Sequence, residues 1–77
     1  MTKEQANAIE RIVISLNCLT AEYSEHKCQI TVTQEGENRY SAIVDCYITS
    51  RLIAFAAMLN DMSILSFKID ETEIKIY

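Results

Sequence analysis

The chain has 77 residues, no proline, a single glycine (Gly36) and 49% apolar residues. That describes one small folded domain rather than a linker or a disordered tail. Its net charge is −4, and the seven basic residues (Lys3, Arg11, Lys27, Arg39, Arg51, Lys68, Lys75) are scattered singly. No basic patch forms, so direct nucleic-acid contact is not expected. A chain this short buries only about 60% of the surface its unfolded form exposes, so the core is expected to be thin.

The opening residues Met1-Thr2-Lys3-Glu4-Gln5 lack the basic run and apolar stretch of a signal peptide. The longest apolar run, Leu52 to Leu59, is far shorter than the roughly 20 residues of a membrane span. Three cysteines, Cys18, Cys28 and Cys46, stand at wide spacing. This is neither a disulfide framework nor the close pairing of zinc ligands. Buried thiols acting as small apolar side chains are the expectation. Together these features point to a cytoplasmic protein, or one delivered into a host cytoplasm, with no cofactor and no membrane contact.

In chain order, the first segment reads as a helix. Thr2-x-x-Gln5 fits a capping box, in which each side chain bonds the other residue's backbone N–H. Ile9, Ile12, Val13, Leu16, Leu19 and Tyr23 then recur at three- and four-residue steps. His26 and Lys27 suit the negative end of a helix running that far. A competing pattern is the alternation Ile12, Ile14, Leu16, Cys18, which would make Arg11–Cys18 a strand and leave a short helix over residues 20–27. The capping box and the six-residue stripe agree with each other and favour the long helix.

A hairpin follows. Cys28, Ile30 and Val32 alternate with polar residues, as do Tyr40, Ala42, Val44 and Cys46. Facing residues of an antiparallel pair share a side of the sheet. A four-residue loop would set Val32 against Ser41 and split the apolar faces. A loop of Glu35-Gly36-Glu37 or of Gln34–Asn38 sets Val32 against Tyr40 and Ile30 against Ala42. Gly36 is the expected source of the positive φ such loops use.

Ser50 to about Asp61 reads as a second helix, capped by Thr49 or Ser50. Leu52, Phe55, Ala56 and Leu59 form its main stripe, and Ile53, Ala54, Ala57 and Met58 widen it until little is polar. A helix apolar nearly all round is covered on more than one side. The tail is a second hairpin in which Leu65, Phe67 and Ile69 face inward. A turn around Asp70–Glu73 sets Ile69 against Ile74, Phe67 against Ile76 and Lys68 against Lys75. The fold class is therefore α+β, in the order α-β-β-α-β-β: a two-layer sandwich with both helices on one face of a four-stranded antiparallel sheet. The strand order does not follow from the pattern.

Catalytic candidates are few. His26 is the only histidine; with Cys28 or Cys46 it could make a nucleophile pair, though an exposed histidine near a helix end explains it as well. One glycine excludes a phosphate-binding loop. Carboxylates gather at the two hairpin turns, Glu35 and Glu37 at the first and Asp70, Glu71 and Glu73 at the second, without the spacing of a calcium loop. The pattern suits recognition of a basic surface on a larger protein. In size, charge and class the chain is similar to the small acidic inhibitors that phages and mobile elements make against host defence systems, such as anti-CRISPR proteins. That likeness covers no particular residues. The alternative is a homo-oligomeric module or small subunit that associates through Ile53, Ala57 and Met58, or through a sheet edge left open after Tyr77.

Overall fold

The computed structural model describes residues 1–18, 27–47 and 49–77. Two helices and four strands follow in the order α1 (Lys3–Cys18), β1 (Gln29–Gly36), β2 (Arg39–Asp45), α2 (Thr49–Asp61), β3 (Phe67–Asp70) and β4 (Glu73–Ile76). The helices and the antiparallel sheet form the expected α+β sandwich. Leu19, Tyr23 and His26, which would prolong the first helix, lie outside the described residues. Within them, Arg11–Cys18 is helical, so the strand reading of that stretch is corrected.

The capping box starts α1. Gln5 N–H donates to Thr2 Oγ1 at 3.2 Å, and Thr2 N–H donates to Gln5 Oε1 at 2.8 Å. A third orphan donor, Lys3 N–H, is taken by Asn38 Oδ1 at 3.0 Å, which ties the helix start to the β1–β2 turn. Ile9 and Val13 then point into the core, while Glu10, Arg11 and Ser15 face out.

The sheet order is β1-β2-β4-β3. The strand after which an open edge was expected, β4, is therefore internal, and the edges are β1 and β3. Main-chain bonds between Met1 and Tyr40 continue the sheet beyond β4: the Met1 amine donates to Tyr40 O at 2.9 Å, and Tyr40 N–H donates to Met1 O at 2.8 Å.

The β1–β2 register keeps the expected faces, but each β1 residue meets a partner two positions further along β2 than expected. Val32 stands against Ala42 and Ile30 against Val44. The cause is a bulge. Gln34 pairs with Tyr40 and Gly36 with Arg39, so Glu35 has no opposite number and only Glu37 and Asn38 form the turn. The positive φ belongs to Asn38, at 53°, and not to Gly36. Asparagine tolerates that region because its short amide can bond locally. The β3–β4 hairpin has the expected register throughout, with Glu71 at a φ of 54° in its turn.

The helix α2 begins at Thr49, so Thr49 and Ser50, the two expected caps, both lie inside its first turn. Its C-terminus closes with a Schellman motif: Ser63 N–H donates to Asn60 O at 3.0 Å, Ile64 N–H donates to Leu59 O at 2.9 Å, and Ser63 has a φ of 60°. This turn lays Ile64 against the core beside Leu59. Leu65, expected to face inward, is instead 71% exposed, and Ile69, near the end of the short edge strand, is 48% exposed. Ser63 is exposed and makes a left-handed turn that glycine makes without strain. Ser63→Gly is expected to gain about 0.5–1 kcal/mol, read as a rise of several degrees in the thermal midpoint. A lower midpoint would contradict this account of the helix end.

The core runs between the layers. Ile9 and Val13 of α1, Ala42 and Val44 of β2, Leu52, Phe55 and Leu59 of α2, Ile64, and Ile74 and Ile76 of β4 meet there, with Cys28 and Cys46 at one end. Among the described residues no charged or polar side chain is buried, and no buried side-chain N or O lacks a hydrogen bond.

Candidate interaction surface

The outward face of the sheet is organised in rows that cross all four strands. At one end, Gln29, Asp45, Glu73 and Asp70 stand side by side, since Gln29 pairs with Asp45, Asp45 with Glu73 and Glu73 with Asp70. Neighbouring strands lie about 4.8 Å apart, so three carboxylates occupy adjacent positions, with Glu71 just beyond in the turn. The next row holds Thr31, Ile43, Lys75 and Lys68.

Asp45 is half-buried and anchored. Its Oδ1 accepts from Tyr47 N–H at 3.0 Å and from Thr72 Oγ1 at 3.3 Å. Glu71 and Asp70 are exposed, and Glu73 is half-buried. Like charges directly opposed across a ladder are destabilising. Nothing in the spacing of the sequence marks Asp45 as a site residue. Its place in the row depends on strand order, which the hydrophobic pattern does not contain.

The structure does not bring the two acidic turns together. Chain direction reverses from β1 to β2 to β4, so the β1–β2 turn and the β3–β4 turn project from opposite ends of the sheet. Glu35 occupies the bulge, where its Oε1 accepts from Ser41 Oγ at 2.7 Å, and Glu37 is exposed in the turn. A depression of 230 Å³ at this end is lined by Met1, Glu35, Arg39, Tyr40, Ser41 and Tyr77. Its lining includes one acidic side chain, Glu35, and one basic one, Arg39, so it is not a second anionic surface.

The proposed oligomer contacts divide. Ile53 is 65% exposed and Ala57 is exposed, while Met58 is half-buried. The helix therefore keeps an uncovered apolar strip opposite Leu52, Phe55 and Leu59.

Cys28 and Cys46 are free thiols and both are buried, as expected of apolar core residues. Burial, followed by the neighbouring Cys28, pushes the Cys46 thiol up to about 12; Asp45 adds to the rise and Arg51 opposes it. The Cys18 side chain and His26 lie outside the described residues, and with them the His26–Cys28 pairing. The sequence pattern gives no sign of the role of Asn17. It falls off the apolar stripe of α1, yet its side chain holds the main chain of Cys28 through two hydrogen bonds. Among the described residues, no three histidine, cysteine or carboxylate side chains gather as a metal site would need, and no helix is long and apolar enough to cross a membrane. No family model, curated protein or solved structure matches the chain.

Proposed function

We propose that this chain is a small non-enzymatic interaction module that docks the acidic end of its sheet on a basic surface of a larger protein. The observation that carries the reading is the row Asp45, Glu73 and Asp70, with Glu71 beside it. Opposed like charges weaken the fold, and a cationic partner would relieve them. A rigid anionic strip can cover a surface that otherwise receives phosphates. On that basis the best specific reading is an inhibitor of the phage or mobile-element type, acting in a cytoplasm without a cofactor. The two turns do not act together in this reading: Glu35 and Glu37 fall outside the contact.

The test is affinity capture from the native host with wild type, with Asp70→Asn/Glu71→Gln/Glu73→Gln, and with Glu35→Gln/Glu37→Gln. One abundant basic protein is expected with wild type. Its recovery should drop at least tenfold with the triple variant and at high salt, and stay unchanged with the double variant. Equal recovery by wild type and the triple variant at both salt concentrations would overturn the reading. The exposed Ile53–Ala57 strip supports a second reading, a homo-oligomeric module. A monomeric mass by light scattering at high concentration would dispose of it.

A further inference from the structure

The β1–β2 ladder reaches Gln29 against Asp45. One residue further on each strand, Cys28 comes opposite Cys46, on the inward face shared with Ile30 and Val44. The two are 3% and 0% exposed and belong to the core. Hydrogen bonds identify the kind of pair. Cys28 N–H donates to Asn17 Oδ1 at 2.8 Å, and Cys28 O accepts from Asn17 Nδ2 at 3.0 Å. Cys46 N–H donates to Thr72 O at 2.9 Å. Each backbone turns away from the other cysteine, which marks a non-hydrogen-bonded antiparallel pair. Such pairs have Cα atoms about 4.5 Å apart and side chains at their closest. A disulfide spans Cα separations of about 4.4–6.8 Å, so the strands need not part to accommodate one.

We propose that Cys28 and Cys46 form a redox-active dithiol that small-molecule disulfides oxidise to a cross-strand disulfide. Cys28 reacts first, because it heads an edge strand and is freed when Asn17 lets go. Its thiolate attacks one sulfur of R–S–S–R. That S–S bond breaks, and the departing RS⁻ is protonated in place of Cys28. The Cys46 thiolate then attacks the Cys28 sulfur and expels the second RS⁻, which is protonated in turn. Two protein thiols are oxidised by two electrons, and one R–S–S–R is reduced to two RSH. The bond encloses the 17 residues that carry the bulge and the turn.

The experiment incubates the full chain with oxidised glutathione, then alkylates it in denaturant. The expected product is lighter by two hydrogens and takes one alkyl group, on Cys18, instead of three. Peptide mapping should join Cys28 to Cys46, and the thermal midpoint should rise by roughly 10–20 °C. Cys46→Ala should instead hold glutathione on Cys28; mapping of the native chain decides the matter if that variant does not fold. The proposal is overturned by a bond through Cys18, by a lasting glutathione adduct on the native chain, or by three free thiols in folded protein under conditions that oxidise the chain in urea.

Discussion

Phe55→Ala is expected to remove about 3–5 kcal/mol of stability, the cost of truncating a fully buried aromatic side chain. A domain of this length holds on the order of 4–12 kcal/mol in total, so the variant retains a small margin or none. Phe55 lies on the inward stripe of α2 between Leu52 and Leu59, in the cluster that joins both helices to the central strands. Phe55→Leu leaves a smaller hole and should lose markedly less. Urea unfolding followed by circular dichroism separates the two. A Phe55→Ala variant within about 1 kcal/mol of wild type would show that the layers do not meet on this ring.

Asn17→Ala is expected to cost about 2 kcal/mol. One amide side chain satisfies both the N–H and the C=O of Cys28. Without it, two partly buried main-chain groups lose their partners at the start of an edge strand, where each such loss costs about 1–3 kcal/mol and water recovers part of it. Asn17→Asp keeps an acceptor for the N–H and should restore some of the loss. The Cys28 amide should exchange with solvent faster in Asn17→Ala. Unchanged exchange together with unchanged stability would remove Asn17 from its role as the clasp of this strand.

The local periodicities carried most of the fold. The capping box, the inward faces of both helices and the β3–β4 register all follow from spacing, because each depends on neighbours a few residues apart. The β1–β2 register did not follow, because a bulge at Glu35 adds a residue that no hydrophobic alternation reveals. That displacement of two residues matters beyond the turn. With Val32 against Tyr40, Cys28 would oppose Val44; with Val32 against Ala42, it opposes Cys46. Two thiols 18 positions apart thus become neighbours by a shift the pattern cannot show. The acidic row was hidden for a different reason. Asp45 joins Glu73 only because β2 lies beside β4, and that pairing links the two hairpins across α2. Leu65 failed to face inward because Ser63 turns the chain early and seats Ile64 in its place.

The opposed turns also limit the reach of the molecule. From Gln29 to Gly36 is seven steps of about 3.3 Å along β1, so roughly 23 Å separates the acidic row from the bulged turn. A flat partner seated on one end leaves the other pointing into solvent. Contact with both requires either a partner that wraps the length of the sheet or two partners that the domain would hold at a fixed span.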